Sequence, residues 1–190
     1  MREEANLAVR CTRTLRRARG YARLRNIRVA SGIAAVAASA VMASAVWPPR
    51  LAFVWNASAS SPIGLYLVTS EDLIRAGDMV VAWAPARVRA MAAERHYLPS
   101  NVPLVKRVAA IAGDRVCAVG EQLFINDELV ALRRRHDPSG RPLPRWSGCE
   151  GLGPGELFLI APRPGSFDGR YFGVTEAHDV VGAARLLWPR

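Results

Sequence analysis

Hydrophobic and polar positions divide the chain into a basic tail, an uncharged apolar span and a longer region of short apolar runs. Residues 29–47 form a stretch of nineteen positions without a charged side chain. A helix of that length spans on the order of 30 Å, which is close to the thickness of a bilayer core. The pattern therefore predicts a tail at 1–28, a transmembrane helix at 29–47 and a separate domain at 48–190.

Within the predicted domain, the apolar runs are short and are separated by turns that contain glycine and aspartate. Strands are predicted at 63–68, 79–83, 103–111, 115–119, 122–125, 128–132, 156–160 and 180–187, and a short helix at 86–97. The Arg-, Pro- and Gly-rich residues 133–155 are predicted to form a long loop, in which Arg133-Arg134-Arg135 is expected to be solvated. Many short strands without a βαβ rhythm favour a mainly β domain.

The net charge of +10 is concentrated in the tail, because residues 1–28 carry +7 and the remaining 162 residues carry only +3. A basic flank holds that end of a membrane helix in the cytoplasm, so the domain is predicted to be periplasmic, at the inner membrane. Inner-membrane lipid is then an expected partner and nucleic acid is not. Two alternatives stay open for the apolar span: a buried Ala-rich helix, or a signal peptide cleaved after Ala43-Ser44-Ala45.

Cysteine and histidine are sparse in this chain, with three residues of each type. Their spacing matches no zinc pattern, so neither a metal nor a cofactor is expected. Cys117 and Cys149 both fall in the predicted exported domain, where a disulfide could form and persist. The sequence leaves open whether they are bonded.

Lysine occurs once, at Lys106, whereas arginine occurs twenty-five times. Its neighbours in the run Leu104–Val108 are mostly apolar. An arginine stays protonated in proteins, but a buried lysine can lose its proton and can then activate a serine hydroxyl. Lys106 is therefore either a catalytic base or an incidental residue of a strand, and the rest of the chain has to distinguish the two.

Three motifs follow the apolar span in a fixed order. They are Asn56-x-Ser58-x-Ser60-x-Pro62-x-Gly64-Leu65-Tyr66, then Leu104-Val105-Lys106-Arg107-Val108 followed by Ala112-Gly113-Asp114-Arg115-Val116, then Ser166-Phe167-Asp168-Gly169-Arg170-Tyr171-Phe172-Gly173. Together they resemble the S26 signal peptidases, in the form found in TraF-type conjugative-transfer peptidases. The resemblance covers roughly residues 48–190 and implies a signal-peptidase-like β domain.

The resemblance also implies a role for each matched residue. Ser60 would be the nucleophile and Lys106 the general base. Ser58 would donate to the oxyanion together with the backbone N–H of Ser60, a kind of stabilisation that is often the largest catalytic contribution. TraF-type enzymes usually have an apolar residue where this chain has Ser61, so Ser61 stays open as an alternative nucleophile.

The last motif would supply the supporting residues. Ser166 would hold the lysine amine in place, and Asp168 and Arg170 would form an ion pair that fixes the site. In this chain, Arg163-Pro164-Gly165 replaces the Gly-Asp-Asn run of housekeeping signal peptidases. This replacement favours the specialised branch over a general signal peptidase I, which is kept as an alternative.

The implied function is that of a membrane-anchored serine endopeptidase that processes an exported precursor. The TraF resemblance points to the pilin of a conjugative, type IV secretion-like system, with hydrolysis and cyclisation both open. One alternative is a catalytically inactive bitopic assembly protein of a secretion apparatus. A soluble self-cleaving repressor is disfavoured, because an Arg-rich tail and an apolar span stand where its DNA-binding helices would be.

Overall fold

The computed structural model describes residues 30–43, 52–70 and 73–190, which fall in two units, Met1–Arg50 and Leu51–Arg190. In the first unit, the described residues 30–43 form helix α1. Among the described residues, none of the helices is both long enough and apolar enough to cross a bilayer. The tail predicted at 1–28 and both ends of the span predicted at 29–47 lie outside the described residues.

The second unit is mainly β, which confirms that part of the predicted fold class. Its described strands are β1 (Phe53–Asn56), β2 (Gly64–Thr69), β3 (Met79–Ala82), β4 (Leu104–Ala110), β5 (Arg115–Val119), β6 (Gln122–Ile125), β7 (Glu128–Leu132), β8 (Gly148–Gly151), β9 (Glu156–Ile160), β10 (Thr175–Glu176) and β11 (Val180–Pro189). Its described helices are α2 (Ala86–Glu94), α3 (Gly169–Phe172) and a 3₁₀ turn at Ala177–Asp179.

These strands form two antiparallel sheets. The larger has the order β1-β2-β11-β3-β4-β9-β10, and the smaller has the order β7-β6-β5-β8. Strand β4 lies inside the larger sheet, where Lys106 is paired with Val80 of β3. Paired residues point to the same face of a sheet, so Lys106 shares its face with Val80 and Val108, which are almost completely buried. The fold thereby places the lysine amine on an apolar surface.

The residues predicted as a long loop at 133–155 contain a strand that composition did not indicate. Strand β8 pairs with β5, and a disulfide joins the directly opposed Cys117 and Cys149. The local sequence Gly148-Cys149-Glu150-Gly151 has no alternation of apolar residues, so the pairing depends on its partner strand. The prediction of a continuous loop was therefore wrong.

Arg133 also differs from the expectation, because it is buried at 3 % exposure rather than solvated. Its guanidinium donates to the carbonyl of Gly120 through Nε (3.0 Å) and Nη2 (2.9 Å) and lies over the ring of Trp146. The ring of Trp146 covers the guanidinium, and the carbonyl of Gly120 accepts from two of its three nitrogens. A run of three arginines in the sequence cannot show which of them has such acceptors nearby.

Gly169, at the start of α3, lies where the backbone packs tightly against β9. An added Cβ would lie 2.8 Å from the carbonyl oxygen of Leu159 and 3.0 Å from the ring of Phe158, both fully buried residues. We expect Gly169→Ala to lower the free energy of unfolding by about 1–3 kcal/mol, since buried neighbours cannot move aside freely. Urea denaturation of the full-length chain measures the change. Gly165→Ala is the control, because its Cβ meets nothing within 4 Å, and equal losses in the two variants would contradict the packing argument.

Candidate active site

The first motif forms a tight loop between β1 and β2, and Asn56 organises its backbone. Nδ2 of Asn56 lies 3.0 Å from the carbonyl oxygen of Ser58, 3.2 Å from that of Ser61 and 3.0 Å from that of Pro62. The Oδ1 atom of Asn56 accepts a hydrogen bond from the N–H of Ser58 at 3.1 Å. One buried side chain therefore fixes the backbone on both sides of Ser60.

Lys106 belongs to the second motif, and its amine contacts the first and the third. Nζ of Lys106 donates to Oγ of Ser60 at 2.7 Å and to Oγ of Ser166 at 2.7 Å. The lysine is only 3 % exposed, although Ser60 itself faces the cleft. A serine hydroxyl in hydrogen-bond contact with a buried amine has the geometry of a nucleophile beside its base.

The environment of Lys106 shifts its protonation equilibrium towards the neutral form. Burial lowers the pKa of the Lys106 amine from 10.5 to about 8; the Asp168 carboxylate acts to raise this pKa and the Arg170 guanidinium to lower it. With a pKa of about 8, roughly 10 % of the amine is neutral at pH 7, against about 0.03 % at a pKa of 10.5. The fold thus increases the population of the form that can accept a proton by more than two orders of magnitude.

Ser58 lies beside the hydroxyl of Ser60. Their Oγ atoms are 2.9 Å apart, and the N–H of Ser60 donates to Oγ of Ser58 at 3.3 Å. The two groups that the sequence resemblance assigns to an oxyanion site are therefore adjacent and are hydrogen-bonded to each other. A bound oxyanion would have to replace that mutual hydrogen bond with bonds to itself.

Ser61, the alternative nucleophile, has a different environment from Ser60. It is buried at 6 % exposure, and its hydroxyl donates to the carbonyl of Val105 at 2.7 Å. This bond ties the loop to the backbone of β4. Of the two adjacent serines, Ser60 is therefore the one whose hydroxyl contacts Lys106.

Asp168 and Arg170 form a buried ion pair at 0 % and 2 % exposure. Nε of Arg170 lies 3.0 Å from one carboxylate oxygen of Asp168, and Nη2 lies 3.1 Å from the other. The carboxylate also accepts from the N–H of Ala161, and the guanidinium donates to the carbonyl of the same residue. Because both ions have several partners, the pair holds the end of β9 against α3 and fixes the turn that carries Ser166.

A cleft of about 780 Å³ opens onto Ser58, Ser60, Lys106 and Ser166. Its apolar walls include Val54, Val102, Leu104, Leu143, Phe167 and Tyr171. A concave surface of this size with a few convergent polar groups is typical of a binding site. The described residues contain no cluster of three or more His, Cys, Asp or Glu side chains that could hold a metal ion.

Asn56 is part of the first motif, but the sequence indicates no role for it. Asparagine is common in loops, and its position four residues before Ser60 carries no information about which carbonyls it contacts. Arg133 also supports this region, because its Nη1 lies 3.4 Å from the carbonyl of Arg170. The local sequence around Arg133 does not indicate this contact either. Both residues support the site through backbone contacts that a motif does not display.

Comparison with known proteins gives matches over most of the chain. Residues 24–188 match the family model described as signal peptidase, peptidase S26. A probable conjugal transfer protein TraF of Sinorhizobium fredii (strain NBRC 101917 / NGR234) is 37 % identical over 142 residues, which cover 68 % of this chain and 73 % of that protein. A plasmid transfer protein TraF of Escherichia coli is 31 % identical over 145 residues, which cover 70 % and 82 % of the two chains.

Among solved structures, the chain is similar to a signal peptidase I from Enterococcus faecalis V583. The two share 18 % sequence identity with a TM-score of 0.35. The match covers 60 % of this chain and 98 % of the other.

Proposed function

This chain belongs to the peptidase S26 family of signal peptidases, and we propose that it is a serine endopeptidase with a Ser60/Lys106 dyad. The observation that carries the proposal is the 2.7 Å hydrogen bond from the buried Lys106 amine to the hydroxyl of Ser60. It joins a nucleophile to a base whose pKa of about 8 lies near the operating pH of most enzymes.

In the proposed first step, Oγ of Ser60 attacks the carbonyl carbon of the scissile peptide bond. The neutral amine of Lys106 accepts the hydroxyl proton as the new C–O bond forms. The C–N bond then breaks, and the Lys106 ammonium donates its proton to the leaving amine. The product of this step is an ester between Ser60 and the N-terminal part of the substrate, with Lys106 neutral again.

The other residues of the site would stabilise or position these groups. The hydroxyl of Ser58 and the N–H of Ser60 would donate to the negatively charged oxygen of the tetrahedral intermediate. Ser166 would orient the amine of Lys106, from which its hydroxyl oxygen accepts a hydrogen bond at 2.7 Å. The Asp168–Arg170 pair would keep Ser166 in position through the turn that it fixes.

The substrate and the place of action are inferred from the relatives and the chain's charge pattern. Two relatives, 37 % and 31 % identical to this chain, are named as a probable conjugal transfer protein and a plasmid transfer protein. The proposed substrate is an exported precursor, the pilin subunit of a conjugative system, cut after small residues. Residues 29–47 would anchor the chain in the inner membrane, with the domain in the periplasm and lipid around the anchor.

Release of the acyl-enzyme can follow two routes that use the same site. Water activated by Lys106 would give a linear product, whereas the substrate's own N-terminal amine would give a cyclic one. Co-expression of the chain with a candidate pilin precursor, followed by intact mass of the pilin, separates the two. A cyclic product is lighter than the cleaved linear one by one water.

The direct test of the peptidase function is to map the acyl-enzyme. The full-length chain in detergent is mixed with a bacterial peptide digest whose amines are blocked, so that each cleavage creates a free N-terminus. After an acid quench, fragment-ion mass spectrometry should locate an ester on Ser60 in the wild type and in Ser61→Ala. An ester on Ser61 would reject the assigned nucleophile. The absence of both ester and new N-termini would favour the alternative of an inactive assembly protein.

A further inference from the structure

The cleft that contains Ser60 and Lys106 is also lined by two arginines without an assigned role, Arg134 and Arg163. Both are exposed, and neither guanidinium has a hydrogen bond or an ion pair with another described residue. Many arginines elsewhere in the domain form ion pairs or hydrogen bonds, such as Arg141, which forms a salt bridge with Asp137. The cleft therefore presents two positive charges that are available to a ligand.

The backbone at each of these arginines is held in place, although the side chains are free. The N–H of Arg134 donates to the hydroxyl of Tyr171 at 3.2 Å, and Tyr171 stacks on Phe167 in the cleft wall. The carbonyl of Arg163 accepts from the N–H of Ser166 at 3.1 Å, in the turn that delivers Ser166 to Lys106. These hydrogen bonds hold the backbone of both arginines in the cleft wall, close to Ser60 and Lys106.

No free negative charge in the described lining offsets them. Asp137 is the one carboxylate among the described residues that line the cleft. Its oxygens accept from Nε of Arg141 at 2.7 Å, from the hydroxyl of Tyr97 at 2.6 Å and from backbone N–H groups. Because this carboxylate is already satisfied, it does not neutralise Arg134 or Arg163.

We propose that the cleft selects peptide segments with acidic side chains close to the scissile bond, and that Arg134 and Arg163 bind their carboxylates. The inference rests on the proposed peptidase function, for which it specifies the substrate class. A guanidinium presents a planar fork of donors that matches a carboxylate and binds it more specifically than a point charge does. Anionic lipid offers similar chemistry, but these arginines line a concave cleft beside the dyad, which favours an inserted peptide.

The expected selectivity is moderate, because both arginines are exposed to solvent. Two charge-assisted contacts at exposed positions correspond to about a tenfold preference for an acidic peptide at low salt. The preference should shrink as salt is raised, since the Debye length falls from about 30 Å at 0.01 M to about 10 Å at 0.1 M. An apolar contribution to the same preference would not respond to salt in this way.

Binding can be measured separately from cleavage with the full-length Ser60→Ala chain. The probes are two fluorescein-labelled, Ala-rich peptides with a central Ala-x-Ala segment, one with Glu on each side of it and the other with Gln. Fluorescence anisotropy should give about tenfold tighter binding of the Glu peptide, and Arg134→Gln combined with Arg163→Gln should remove that advantage. The matched control combines Arg75→Gln with Arg185→Gln, which removes the same charge from exposed positions outside the cleft lining.

Four results would overturn this inference, and the first three concern the peptides. They are equal affinity for the two peptides, a Glu advantage that survives the cleft double variant, and an equal loss in the control. A fourth is that the cleft arginines change only the binding of phosphatidylglycerol vesicles, which would assign them to lipid. The wild type's cleavage of the blocked peptide digest is read independently, so failure of the peptidase proposal and failure of this selectivity give different results.

Discussion

Replacing Lys106 by arginine is expected to abolish peptide cleavage, with a fall in kcat/KM of about a thousandfold or more. The dyad needs a group that can release and accept a proton, and a guanidinium stays protonated at any pH at which the protein is folded. Arginine would keep the positive charge and a long side chain on β4. The loss of activity would therefore report proton transfer rather than loss of charge.

Arginine is larger than lysine, and Lys106 is only 3 % exposed, so a second variant is needed to separate catalysis from folding. Lys106→Met removes the amine and keeps an unbranched side chain that packs well in apolar surroundings. Both variants should be inactive in the blocked-digest assay, and thermal unfolding should show that Lys106→Met remains folded. Ser61→Ala is the activity control, because its hydroxyl contacts the carbonyl of Val105. Cleavage by either Lys106 variant at more than about a tenth of the wild-type rate would exclude Lys106 as the base.

The second large effect expected is a steep dependence of cleavage on pH. With the pKa of Lys106 at about 8, the neutral fraction falls about tenfold for each pH unit below that value. The rate constant kcat/KM should rise by about fiftyfold from pH 6 to pH 8 and by only about a further factor of two above. Initial rates from pH 5.5 to 9 at constant ionic strength measure this profile. A flat profile between pH 6 and pH 8 would contradict a lysine base with this pKa.

The same lowered pKa should appear in the stability of the protein. Between pH 8 and about 10.5, the unfolded chain binds a proton at Lys106 that the folded chain does not, so wild-type stability should rise with pH in that window relative to Lys106→Met. Below pH 8 the difference should be constant. The shift of the Lys106 pKa from 10.5 to about 8 corresponds to a loss of folding free energy on the order of 3 kcal/mol below pH 8. Urea denaturation of both proteins from pH 7 to 11 measures it, and parallel curves would contradict the shift.

Several strands could be predicted from the sequence with their observed bounds, because their signals are local. Strands β5, β6, β7 and β9 occupy the predicted residues. The β6–β7 hairpin turns at Asn126 and Asp127, which both have positive φ angles of 49° and 68°. Asparagine and aspartate tolerate this conformation better than other side chains, so two residues between apolar runs were sufficient to place the turn.

Elements that depend on distant partners could not be predicted in the same way. Strand β8 has no apolar alternation, and its pairing with β5, in which Cys149 lies opposite Cys117, becomes apparent only in the folded chain. Arg133 is buried because Gly120, thirteen residues earlier, supplies an acceptor. In both cases the stabilising contact joins two chain segments that only the fold brings together. The residue types within either segment alone therefore do not predict it.

For the candidate site, the sequence determined which chemical groups are available. A single lysine in an apolar run and three ordered motifs limited the candidates to Lys106, a few serines and the Asp168–Arg170 pair. Two questions remained that only the tertiary structure decided: whether Lys106 is buried, and which adjacent serine its amine contacts. Ser60 and Ser61 differ by one position, but the loop held by Asn56 turns one hydroxyl to the amine and the other to the backbone of β4. That choice depends on contacts between residues 46 positions apart, which form only when the loop packs against the sheet.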